Sequence, residues 1–296
     1  MEAANVPATT PLFPPISARR RRVDKIARSL TLIATVAAIV PLALVLFYLL
    51  SKGLGAISWD FFTTDPTGRF LGDPGGIRSA IAGTVVIVGI ATLMAVPIGI
   101  GVALWLVEYG RPPRLATAVR YFIDVMSGVP SIVFGLFIYT TLVIAGSSGG
   151  FSAFKGSLAL ALLMLPVVTR SSEVALSLVP STLREAALAL GAPRWRVIWR
   201  VVLPTSRAGL LTGALLAISR AAGETAPLLF TAFGVKALTW NPSEQMNALP
   251  LQIFQDVSQA QDRLVTRAWG AALTLVAMVL ILNLIARLIQ RRSRIA

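Results

Sequence analysis

Residues 185–204, "EAALALGAPRWRVIWRVVLP", carry Arg194, Arg196 and Arg200 between segments apolar enough to lie in lipid. The first half is small and helix-favouring. It ends at Gly191, Ala192 and Pro193, a sequence that predicts two short helices with a turn between them. In the second half Trp195, Ile198, Trp199 and Val202 recur at i, i+3, i+4 and i+7 as one apolar stripe, while Arg196 and Arg200 stack on another face. A basic, Trp-bearing helix of this kind suits an anionic lipid surface or a calmodulin-like target. Lipid contact does not explain the small first half, which reads as a knob presented to a partner's groove.

The composition around this stretch is that of an integral membrane protein. Of 296 residues, 55% are hydrophobic and 14% charged, against about 25% charged in soluble domains. Cys and His are both absent, which removes thiolate nucleophiles, imidazole acid/base chemistry, disulfides and Cys/His metal sites. No metal ligand set and no catalytic residue is expected. The formal charge of +14 would suit nucleic acid, but membrane proteins also gather Arg in cytoplasmic loops.

Runs 29–51, 79–107, 125–154 and 268–286 are free of charge and reach the ~17 to 25 residues that cross ~30 Å of hydrocarbon. Two further spans are interrupted, one by Arg170 and Glu173, the other by Arg207, Arg220 and Glu224. The expected fold class is all-α, with six spans at about 29–51, 79–107, 121–145, 156–178, 204–233 and 268–288 inside a membrane domain 25–290. Residues 1–24 are expected to be a disordered cytoplasmic tail and 291–296 a second tail. With both termini inside, most of the 27 Lys and Arg fall in cytoplasmic segments, as the positive-inside rule requires, so nucleic acid is not needed to explain the charge. The first span reads as a retained anchor, because its apolar core is longer than the usual ~7 to 15 residues of a signal peptide.

The outer segments 52–78 and 234–267 are long enough to receive a soluble partner, although Trp59, Phe61 and Phe62 suit interfacial anchoring. Pro97 is expected to kink its span. Gly128 and Pro130 are expected to bend or break the next one just beyond Asp124, through packing or to line a pathway. In the fifth span Gly209, Gly213, Ala217 and Ala221 recur every four residues as a ridge for close helix packing. At ~100° per residue Arg220 and Glu224 share the direction of Gly213, so both charges are expected to point into the protein. Arg220 lies ~20 Å beyond Arg207, past the middle of the hydrocarbon, where a charge costs at least ~2.5 to 3.5 kcal/mol. The pair is either a structural link between helices or part of a substrate pathway.

Glu185, Ala186, Ala187, Gly191, Val201, Leu203 and Pro204 resemble the EAA motif of bacterial ABC-importer permeases, with Val201 where the family usually has Ile. "DVMSGVPSIVFGLF" (124–137), the opening stretch and "SRAAGETAPLL" (219–229) extend the resemblance to the PstA-type permeases of phosphate importers, over nearly all of residues 25–290. The resemblance implies a type I importer fold with coupling helices at 185–200, in the bacterial inner membrane, importing phosphate or another oxyanion such as sulfate or molybdate. It implies a heterodimer with a PstC-type permease, two copies of an ATPase, an extracytoplasmic phosphate-binding protein and lipid as partners. On that likeness Arg220, Glu224, Arg170, Asp124 and Ser131 belong to the pathway or gate, and Glu185, Ala186, Ala187, Gly191 and Arg194 to ATPase coupling. The sequence lacks a G-x-x-x-x-G-K-[ST] loop, so ATP and Mg are expected on the ATPase chains and no cofactor on this one.

Overall fold

Apolar runs without backbone partners in lipid must form helices, and they do. A computed structural model describes residues 17–67, 72–110, 112–145 and 150–292, and among these there is no strand, only isolated bridges at Pro66 to Gly75 and Phe233 to Met246. The chain divides into two compact units, one ending at Leu49 and one beginning at Leu50. Nearly all the described residues of the first belong to α1 (Ala18–Gly53), which continues through Pro41. Residues 18–24 are therefore helical rather than a disordered tail, and residues 1–16 of that expected tail lie outside the described residues, as do 293–296 of the other.

The second unit runs through α2 (Trp59–Thr63), α3 (Arg78–Leu104), a π-helical turn (Trp105–Tyr109), α4 (Pro113–Gly128), α5 (Ser131–Ile138) and a π-helical turn (Tyr139–Ile144). It continues with α6 (Ala153–Ser177), α7 (Ser181–Ala189), α8 (Arg194–Val197), a π-helical turn (Ile198–Val202), α9 (Leu203–Ala222), α10 (Ala226–Leu229), α11 (Leu249–Val257) and α12 (Asp262–Arg292). Among the described residues, five helical stretches are long and apolar enough to span a membrane. A sixth candidate is the pair Pro113–Gly128 and Ser131–Ile144, bent by 100° at its break.

Helix α6 is central. Its buried Leu160, Met164 and Val168 form one core with Ile87 and Ala91 of α3 and Ala217 and Ala221 of α9. The predicted small-residue ridge is what brings α9 in: a Cβ on Gly209 would come within 2.6 Å of the Ala175 Cβ, and one on Gly213 within 2.6 Å of the Ser171 Cβ. Gly99 of α3 meets Val168 in the same way. Lipid gives apolar side chains no reason to prefer one another, so this close backbone approach is the main source of attraction between the spans.

Prolines decide where helices break. Val129 is held extended by the following Pro130, which ends α4 and opens α5. Pro180 and Pro193 likewise precede α7 and α8. The expected span 204–233 is not one helix: α9 stops at Ala222, because Pro227 would clash with the carbonyl four residues back, and α10 resumes after Gly223 to Thr225. At its other end the span helix starts early. Residues 194–222 are continuously helical, so 194–202 are the foot of the span and not a separate surface helix. The π-helical turn at Ile198 resets the apolar stripe: Val197, Ile198 and Val202 are buried, whereas Trp195 and Trp199 point outward. By contrast α3 runs through Pro97 without a break.

The segments expected outside the membrane form a tight cap. Phe61 is buried with Ile77, Ala80, Leu249 and Ala271 instead of anchoring at an interface, while Trp59 is exposed. Arg267 of α12 and Asp256 of α11 are both buried and joined by two hydrogen bonds, Arg267 Nε to Asp256 Oδ2 at 2.8 Å and Nη2 to Oδ1 at 2.7 Å; Arg267 also donates to the carbonyl of Pro74. Asn247 donates to Gln252 and Gln252 to Asp256, so the chain of buried polar groups is closed. In the same cap Thr239 and Asn241 donate to the Glu244 carboxylate, holding its pKa below the usual carboxylate range. Breaking a buried pair strands the remaining charge. Arg267→Met or Asp256→Leu alone is therefore expected to cost about 3 to 5 kcal/mol, and the double variant much less than the sum, as read by thermal unfolding of the purified protein.

Candidate functional site

Two broken helices meet on α6. Gly135 of α5 lies against α10, where an added Cβ would come 2.6 Å from the Cα of Pro227. The segments 124–137 and 219–229, both singled out in the sequence, are thus in contact through the residues that follow each break. The ridge contacts set the depth. Stepping four residues from Gly209 beside Ala175 and Gly213 beside Ser171, Arg220 comes level with the middle of α6, near Met164. Irregular backbone at such a depth is tolerated only where protein or a polar cavity surrounds it.

Arg220 and Glu224 pair as expected, but loosely: Nε lies 3.8 Å from Oε1, with side chains 54% and 18% exposed. Arg220 does not point into this chain's own core. The ridge face is occupied by Ala217 and Ala221 against α6, and the long guanidinium arm swings off its edge to the protein surface. Beside it, Ser219 accepts a hydrogen bond from Asn283 of α12 at 3.1 Å, a tie between spans that the sequence reading missed.

Arg170 and Asp124 do come together, at 3.0 Å, across α6 and α4. Arg170 also donates to Glu173 at 2.9 Å, and Glu173 accepts from Arg120 at 2.6 Å, giving an alternating row Asp124, Arg170, Glu173, Arg120. Glu173, only 14% exposed, is its centre. The Arg120 partnership spans 53 positions in the chain, and no local periodicity announces it. Among the described residues no hydrogen bond or ion pair joins this row to Arg220 or Glu224. Ser131 opens α5 at the bend, half-buried and without a hydrogen bond to the row.

The coupling candidates sit on α7 and the turn after it. Glu185, Ala186 and Gly191 are exposed and Ala187 is half-buried against the core that α6 and α9 share. Gly191 has φ +79°, a left-handed conformation that ends α7, and the space where its Cβ would stand is open. Arg194, at the start of α8, is exposed beside a cleft of about 390 Å³ between the end of α3 and α7. Among the described residues no group of His, Cys, Asp and Glu could hold a metal ion.

Residues 95–295 match a family described as binding-protein-dependent transport system inner membrane component, and the chain belongs to that family. It is a multi-pass membrane permease. Phosphate transport system permease protein PstA of Xylella fastidiosa is 40% identical over 279 residues, covering 94% of this chain and 96% of the relative. The PstA of Haemophilus influenzae is 39% identical, covering 91% and 94%, and PstA 1 of Mycobacterium tuberculosis 38%, covering 100% and 97%. Among solved structures, a bacterial alginate ABC transporter in complex with a periplasmic protein aligns with a TM-score of 0.62 at 17% identity, over 91% of this chain and 96% of that one. The inward-facing MetNI methionine ABC transporter aligns with 0.57 at 20% identity, over 74% and 94%. These likenesses establish the importer permease fold.

Because Glu173 serves two arginines and is only 14% exposed, while both arginines are partly exposed, Glu173→Gln should destabilise the protein by roughly 1 to 2 kcal/mol. Asp124→Asn, which weakens a half-exposed pair, should cost under about 1 kcal/mol. Thermal melts of the two variants in the same detergent check the order.

Proposed function

We propose that this chain is the transmembrane permease subunit of an ATP-driven importer of inorganic phosphate, forming the pathway with a second, PstC-type permease. The observation that carries the reading is near-full-length similarity, at about 40% identity, to phosphate transport permeases. It favours phosphate over sulfate or molybdate as cargo. A soluble phosphate-binding protein delivers the anion at the outer cap, two ATPase subunits dock on the cytoplasmic side, and both termini of this chain are cytoplasmic. ATP and Mg belong to the ATPase chains, and this chain binds no cofactor.

The site geometry supports a role for Arg220. A guanidinium at mid-depth, half-exposed and held only by a 3.8 Å contact, is intolerable against lipid and suits a face closed by the second permease around a polar pathway. There it meets the phosphate anion, while Glu224, in the break of the same span, holds it when the pathway is empty. Arg170, Asp124 and Ser131 mark the neighbouring bend, where α4 and α5 change direction as the pathway opens and closes. On the cytoplasmic side Glu185, Ala186, Ala187, Gly191 and Arg194 form the surface the ATPase grips. Closure of the ATPase pair moves that surface, and the spans tilt to expose the pathway outward.

Arg220→Ala should abolish phosphate uptake by cells while the subunits still co-purify; undiminished uptake would remove Arg220 from the pathway. At Gly191 the conformation tolerates Asn and the space outside is open, so Gly191→Asn should keep ATPase co-purification where Gly191→Val loses it.

A further inference from the structure

We infer that Arg184, through Glu108, is the positioning residue that transmits movement of α7 to the spans; the inference rests on the permease reading above. Helix α7 has no buried residue and touches the rest of the protein along a narrow face. Ala187 supplies the apolar part of that contact, and Arg184, one turn earlier on the same face, supplies the polar part. Among the described residues, Arg184 provides the hydrogen bonds that leave α7 for other helices. Its Nε donates to Glu108 Oε1 at 2.9 Å, its Nη2 to the carbonyl of Leu176 at 2.9 Å, and its Nη1 to that of Val179 at 2.6 Å.

Both carbonyls lie at the C-terminal end of α6, Leu176 in its last turn, where its oxygen also accepts from Val179 N at 3.3 Å, and Val179 two residues past it; a guanidinium suits that negative end of a helix. Glu108 stands in the π-helical turn that closes the α3 span. That wider turn takes in an extra residue and rotates its later residues by ~100°, bringing the carboxylate round to α7. Both side chains are largely buried, 19% and 13% exposed, so the pair is short of competing water. One side chain therefore ties the helix that the ATPase grips to the ends of α3 and α6, the two spans that form the centre of the bundle. The exposed face of α7, with Glu185 and Ala186, is left for the partner. A pull on α7 is delivered to the ends of α3 and α6 through these three hydrogen bonds of Arg184. Lysine keeps the charge but cannot reach three acceptors in the same fork.

The test uses the assembled importer in proteoliposomes, measuring phosphate uptake per ATP hydrolysed, ATPase co-purification and melting temperature for Arg184→Lys, Arg184→Ala, Glu108→Gln and the exchange Arg184→Glu with Glu108→Arg. The expected result is that the ATPase still co-purifies and hydrolyses ATP, while uptake per ATP falls roughly 2- to 30-fold in the single variants. The exchange should not restore the ratio, because a carboxylate at position 184 would face the carbonyls of Leu176 and Val179. An unchanged ratio in assembled Arg184→Lys and Glu108→Gln complexes would overturn the inference, as would loss of ATPase binding in parallel with melting temperature in every variant, which marks a purely structural pair. A wild-type chain that brings down no ATPase would overturn the permease reading itself.

Discussion

The approach of Gly209 and Gly213 to Ala175 and Ser171 is the contact on which the arrangement of the charged residues depends. In lipid, apolar surfaces gain nothing by leaving the solvent, so two spans stay together chiefly where small residues let their backbones come close or polar groups bond across. That approach fixes the register of α9 on α6. Register in turn places Arg220 at mid-depth, and the break after Ala222 lies there too. Filling the ridge would separate the helices and leave the depth and direction of Arg220 undefined.

Proline then converts a bundle of spans into a device with movable parts. Pro130 turns the chain by about 100° between α4 and α5, and Pro227 ends α9 and starts α10, with Gly135 seated against Pro227 where the two breaks meet. Across the bundle and its cap the polar groups are partnered according to their surroundings. The buried Asp256 and Arg267 have several hydrogen bonds each, the row from Asp124 to Arg120 shares its charges, and Arg220 alone in this set relies on a long contact, to Glu224 in the break that follows its helix. A charge left under-satisfied at that depth identifies the face where another subunit or an anion belongs.

Much of this was legible in the chain itself. Charge-free runs located most of the spans, the four-residue spacing from Gly209 to Ala221 predicted the packing ridge, and Gly191 with Pro193 predicted the turn after α7. The angular argument failed for Arg220, since a long side chain on the edge of a ridge can leave the direction of its Cα. The stripe Trp195, Ile198, Trp199, Val202 also misled, because a π-helical turn changes the period on which the stripe was counted.

The sequence by itself determined the membrane class, the break at Pro130 and the motif family, because hydropathy, backbone sterics and local spacing are properties of neighbouring residues. Only the tertiary structure decided that Glu173 serves Arg120 and Arg170 together, that Asn283 reaches Ser219, that Arg184 reaches Glu108, and that Arg220 faces outward. Three of these pairings join residues 53 to 76 positions apart. They exist because close packing brings distant helices to one level, and no local period records which residues will meet there.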